Sequence, residues 1–183
     1  MDRNPVPEAQ LLPTDSGLVP DGDGWFVVNA SEAAAMGMDD DMYSILFEGR
    51  PGAFPHFGLN LRVLGPGRPG AFYHAEGAQE AFLVLRGECV LIIEEQERRL
   101  RQWDFVHCPP HTAHVIVGAG DEPCVVLMVG ARKPDRELCY PFSEVASRYG
   151  ASAAHDTTDP REAYATLPSP PRPGRFPWPG TFR

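Results

Sequence analysis

Over about two fifths of its length the chain is a succession of short, mostly apolar runs, each cut off by Gly, Pro or a charge cluster. GLNLRVLG (58–65), EAFLVLRG (80–87), ECVLIIEE (88–95), RRLRQWDFVHC (98–108), HTAHVIVG (111–118) and EPCVVLMVGA (122–131) follow one another, with GPGRPG (65–70) marking a turn. Runs of this length with these boundaries read as strands. Parallel strands need crossover connections of about a dozen residues or more, usually helical. These connections are short and rich in Gly and Pro, so the strands must pair antiparallel and close into a sandwich or barrel. No internal repeat is visible, which argues for one barrel. In GLNLRVLG the apolar Leu59, Leu61 and Val63 alternate with Asn60 and Arg62, and the apolar set is expected to face inward. AFLVL, CVLII and CVVLMV are apolar on both faces, unlike a sheet with one wet side. Their outer faces need a cover, from the terminal segments or from a second subunit, and the reading here is a homodimer.

The flanks differ from this middle. Residues 1–24 carry four prolines and few apolar residues and are expected to be an arm without regular structure. WFVVNA (25–30) reads as an edge strand. Helical signals lie in SEAAAMG (31–37), in PFSEVASRYG (141–150) with Ser143 as cap, and in DPREAYATL (159–167) with Asp159 as cap and Pro160 at the first helical position. The last stretch, 168–183, has six prolines between Pro168 and Pro179 and must be extended. Its Phe176, Trp178 and Phe182 favour docking on the body of the protein. The expected organisation is therefore an arm (1–24), a single barrel (25–135), a helical segment (136–167) and a Pro-rich tail (168–183). A net charge of -9 opposes nucleic-acid or anionic-membrane partners. No apolar run is long enough to span a bilayer, and MDRNPVPEAQ lacks a signal pattern, so a cytoplasmic protein is expected. Cys89, Cys108, Cys124 and Cys139 form no CxxC pair and are read as reduced thiols.

The chemistry concentrates in two stretches. FYHAEGAQEAFLVLRG sets His74, Glu76, Glu80 and Gly87 at the spacing His-x-Glu-x3-Glu-x6-Gly; WDFVHCPPHTAH adds Asp104, Pro109 and His114. If FYHAE is a strand, His74 and Glu76 share a face with Phe72, and Glu80 leads the next strand on the face of Phe82 and Val84. A Pro-Pro turn then delivers His114 to a neighbouring strand. Imidazole and carboxylate donors converging in this way suit one divalent transition metal (Zn, Fe, Mn, Ni or Cu) rather than Ca or Mg.

The two stretches resemble the paired signature motifs of the cupin superfamily, with the resemblance spanning 58–130. The first family motif reads H-x-H-x(3,4)-E-x(6)-G, and Glu76 stands where its second His is usual. Trp103 and His111 stand where the second motif commonly has glycines. The resemblance implies an all-β, antiparallel jelly-roll barrel with short flanking helices, holding one divalent metal and often dimeric. It implies His74, Glu76, Glu80 and His114 as the metal ligands. With Glu76 as ligand, two carboxylates would neutralise the cation. With Glu76 turned to solvent, a two-His, one-carboxylate set remains, as in non-haem Fe(II) oxygen chemistry.

Leu61, Val63, Phe72, Phe82, Val84 and Ile116 are expected to line the interior, with Tyr43 or Tyr73 at the rim. Arg62 and Arg86 fall on the opposite strand parity, so the ligand is read as a small, largely apolar molecule rather than a phosphate or a dicarboxylate. The function expected is a metal-binding cupin of unassigned specificity, an enzyme of the oxygenase or isomerase kind. The alternatives are a non-catalytic small-molecule or metal-binding module and a metal-free dimer scaffold. His107 belongs to the outer strand face, His111 to an exposed turn and His56 to a solvated loop.

Overall fold

The computed structural model describes residues 4–39, 41–50, 52–165 and 171–178. In chain order the strands are β1 (Gln10–Thr14), β2 (Gly17–Asp21), β3 (Ala35–Asp39), β4 (Met42–Leu46), β5 (Phe57–Leu64), β6 (Glu80–Arg86), β7 (Glu88–Ile93), β8 (Gln96–Arg101), β9 (Phe105–Cys108), β10 (His114–Ala119) and β11 (Cys124–Ala131). Two single-turn helices follow, α1 (Glu144–Ser147) and α2 (Pro160–Ala163), and then β12 (Arg172–Pro173). All the strand pairings are antiparallel. They build a seven-stranded sheet in the order β12-β3-β4-β5-β11-β6-β9, a three-stranded sheet β10-β7-β8 and the hairpin β1-β2. This is an all-β jelly roll whose two main sheets pack face to face without closing.

Three apolar layers hold it together. Between the sheets lie Met42, Leu64, Phe82, Val84, Val126, Cys89, Leu91 and Ile116, all nearly inaccessible to solvent. Outside the three-stranded sheet, Val90, Ile92, Val115 and Val117 are covered by Ala146 and Ala151 of the segment around α1. Outside the seven-stranded sheet, Ile45, Leu61, Val63 and Val125 are covered by Val28, Ala30 and Ala33 on the N-terminal side and by Phe176 and Trp178 of the tail. The chain's own flanks thus supply cover for the doubly apolar strands. Phe176 packs on Tyr43 with ring centroids 4.9 Å apart. Phe182 lies outside the described residues. Among the described residues no helix is long and apolar enough to cross a membrane. All four cysteines are free, and only Cys139 is partly exposed.

Several local expectations are corrected. The N-terminal arm is not irregular, because Gln10–Thr14 and Gly17–Asp21 pair as an exposed hairpin. WFVVNA forms no strand; Trp25 makes only one bridge, with Glu8. SEAAAMG is a turn running into β3, not a helix. Its alanines pair and pack on the sheet, so tertiary burial overrides helix propensity there. Ser143 and Asp159 do cap helices, each accepting a backbone N–H, but those helices last one turn.

Trp103 and His111 both adopt left-handed backbone, at φ 76° and 67°. These are the positions where the resembled motif carries glycine, and a residue with a Cβ costs about 1–2 kcal/mol there. Trp103 is 66% exposed and has little burial to lose. Trp103→Gly should therefore stabilise the fold by about 0.5–1 kcal/mol, the relief exceeding the extra chain entropy of glycine. A denaturant midpoint followed by circular dichroism that stays put or falls would contradict this.

Candidate metal centre

FYHAE is not a ladder strand. His74 instead makes a single antiparallel bridge to His114: His74 N donates to the His114 carbonyl at 3.1 Å, and His114 N donates to the His74 carbonyl at 2.9 Å. Residues opposite each other in such a pair carry neighbouring side chains, and the two rings lie 5.0 Å apart. The turn Pro109–Thr112, closed by Thr112 N donating to the Pro109 carbonyl at 3.2 Å, starts β10 at His114. Glu80 begins β6 opposite Cys108 and Gly130, and its carboxylate reaches to 3.4 Å from His114 Nε2. His74, Glu80 and His114 each offer one donor atom, all within 4.8 Å of one another.

The hydrogen bonds orient these donors. His74 Nδ1 lies 2.7 Å from the Phe72 carbonyl, and His114 Nδ1 lies 3.0 Å from the Thr112 carbonyl. A carbonyl can only accept, so each Nδ1 carries the proton and each Nε2 keeps its lone pair toward the site. Burial holds both imidazoles below their ordinary value, His114 at about 4, so both are neutral near pH 7. Burial and the charge of Glu76 push Glu80 up to about 7. Two neutral imidazoles and one carboxylate, with the far ring nitrogens tied to backbone, are the donor chemistry of a divalent transition metal. The residues fit such an ion.

Glu76 lies beside this group rather than in it. Its Oε1 is 3.8 Å from His74 Nε2 but takes a hydrogen bond from Arg136 at 2.8 Å. The remaining histidines stay apart. His107 is exposed on the outer face of β9, and His111 is an exposed turn residue 3.4 Å from Glu137. His56 is exposed as well.

The centre opens into a cavity of about 450 Å³. Phe82 and Ile116 line it, as the sequence pattern leads one to expect. Leu61 and Val63 do not; they belong to the outer layer, and the inward set on β5 is Asn60 and Arg62. Phe72 packs elsewhere, stacked on Tyr164, and Val84 lies deeper in the intersheet core. The parity assigned to β5 from its alternation is thus inverted, because its apolar side faces the covering flanks. Arg132, Lys133 and Arg136 also line the cavity. The basic run ARKPDR (131–136), at the end of β11, was the readable signal for them. Tyr140, 5.9 Å from the His74 ring, left no such signal.

Residues 60–130 match the family model of the cupin domain. No curated protein matches the chain. Among solved structures, a sugar phosphate isomerase from Silicibacter pomeroyi is 27% identical, with 58% of this chain and 68% of that one covered and a TM-score of 0.49. A predicted oxalate decarboxylase from Thermotoga maritima is 18% identical, with 58% and 99% covered and a TM-score of 0.53. A polyketide cyclase from Streptomyces resistomycificus is 15% identical, with 60% and 82% covered and a TM-score of 0.51. The chain spans 64% of another similar structure, from Acidithiobacillus ferrooxidans. The decarboxylase and cyclase likenesses are likenesses of fold, and one fold with such different named activities leaves the reaction to be argued from the site.

Proposed function

We propose, for a protein whose barrel belongs to the cupin superfamily, that His74 Nε2, the Glu80 carboxylate and His114 Nε2 hold one divalent transition metal beside a small-molecule cavity, and that the protein is a metal-dependent enzyme. The observation carrying this reading is the fixed tautomer of both histidines, each Nδ1 bound to a carbonyl two residues back and each Nε2 left as a free donor. A core histidine with no ligand to serve would have no need of two rings and a carboxylate aimed at one point. Three protein donors leave coordination positions for a substrate, and such an ion supplies Lewis acidity or, as iron(II), oxygen chemistry. The chain's own part is to keep two imidazoles neutral, to hold Glu76 against Arg136, and to present a walled cavity with a polar face on β5.

Chelator-stripped protein titrated with Zn²⁺ should bind close to one ion per chain. At an ion concentration about a hundredfold above the dissociation constant, its thermal midpoint should rise by about 5–10 °C. Absence of uptake together with an unchanged midpoint would leave a metal-free binding module or scaffold as the better reading.

A further inference from the structure

Arg62 lines the cavity, and the metal reading gives its charge no task. Its side chain is partly buried, with Nε wholly inaccessible, and lines the same cavity as His74, Glu80 and His114. Among the described residues no carboxylate pairs with it; its one hydrogen bond is from Nη1 to Ser44 Oγ at 2.6 Å, and its Nε is buried without a partner. Burial pulls the guanidinium below its ordinary value, yet arginine stays charged in proteins. A guanidinium with no carboxylate partner and a buried, orphaned N–H carries a desolvation cost that a ligand in the cavity would offset. On the same strand face, Asn60 Oδ1 is also buried without a partner. The other cations of the cavity are already engaged: Arg132 with Glu48, Arg136 with Glu76, and Lys133 with the Gly77 carbonyl.

We infer that the cavity takes a small organic carboxylate, whose charged end is met by the Arg62 guanidinium on β5 and whose other end lies toward His74, Glu80 and His114. This deepens the proposed function and rests on it for the second end of the ligand. A single guanidinium presents planar donors that match a planar, singly charged carboxylate. A phosphate dianion would ask for a second free cation at that end, and none of the engaged ones supplies it. The orphaned Asn60 amide gives such a ligand a further polar contact.

The test measures binding of malonate, inorganic phosphate and the neutral 1,3-propanediol to wild type, Arg62→Met and Arg62→Lys by calorimetry at fixed ionic strength. Bound metal is measured in parallel by elemental analysis. Malonate should bind wild type, weaken at least about 30-fold in Arg62→Met, and fall in between for Arg62→Lys, which keeps the charge but not the planar fork. Metal content should be the same in all three. The metal-free Arg62→Met protein should melt no lower than wild type, since the cation it loses has no carboxylate partner and an orphaned Nε; a merely structural arginine would give a clear drop. Equal malonate binding in wild type and Arg62→Met would overturn the inference. So would binding of the diol as tight as that of malonate, or binding of phosphate in place of malonate. Metal bound without malonate counts against the carboxylate alone, whereas malonate bound through Arg62 to protein that takes up no metal counts against the metal centre alone.

Discussion

Replacing His114 by alanine will strip the protein of its metal. Altering a group that merely orients a ligand costs about 10–100-fold in metal affinity. Deleting one of three donors should cost more, so affinity is expected to fall by more than about 100-fold and the metal content of purified protein from near one per chain to a small fraction. His114 is 3% exposed, packed against Phe82 at 5.1 Å and against the His74 ring. The truncation therefore leaves a cavity as well, destabilising the metal-free fold by roughly 1–3 kcal/mol. His107→Ala separates the two effects. It removes an imidazole from the same motif but from the outer face of β9, and should leave the metal content untouched. His114→Ala protein that is folded by circular dichroism and still carries full metal by elemental analysis would remove the centre assigned here.

Most strands from β5 to β11 were legible because they are short apolar runs with a turn residue at the end, and the pattern of the barrel motifs lies within them. The run 98–108, read as one strand, is instead the charged β8 and the short β9, in different sheets. What one sequence does not carry is which side of a strand is inside. On β5 the apolar residues Leu61 and Val63 point outward, because Phe176, Trp178 and the segment near Ala33 bury that face from more than a hundred or only a few dozen residues away. A period-two pattern cannot tell an inner core from a covered outer face, and choosing wrongly exchanges every side chain on the strand. That single exchange hid Arg62 and made the cavity look apolar. The metal donors escaped this ambiguity for a different reason. Their spacing is set by a bridge and a Pro-Pro turn, so His74, Glu80 and His114 meet although FYHAE is not the strand it resembles. Glu76 could not be placed from sequence, since its partner, Arg136, lies 60 residues on in a loop with no regular pattern. Trp103 and His111 show the converse: a backbone requirement persists at those positions after the glycine has gone.

Metal affinity should depend steeply on pH below neutrality and hardly at all above it, and the cause should be Glu80. Its carboxyl titrates at about 7 in the metal-free fold, against an ordinary 4.5, while His114 titrates at about 4 and His74 below its ordinary 6.5. At pH 8 all three donors are ready. At pH 5 His114 is still largely neutral, but Glu80 is almost wholly protonated, so the dissociation constant should be weaker than at pH 8 by at least about a hundredfold. Binding at pH 6 should release close to a full proton or more per ion, and at pH 8 little, read from calorimetry in buffers of differing ionisation enthalpy. The folded protein without metal behaves differently. The raised Glu80 contributes stability that is present at low pH and is lost as pH rises from about 4.5 to about 7. The depressed His114 contributes stability that is present above 6.5 and is lost as pH falls toward about 4, and the depressed His74 acts in the same direction. The two trends oppose each other, so metal-free protein should show a shallow profile between pH 5 and 7. Loaded protein, with all three donors held deprotonated, should gain steadily over the same range. Proton release that is equal at pH 6 and pH 8, or that persists in Glu80→Gln, would show that another group, and not Glu80, gates the uptake of metal.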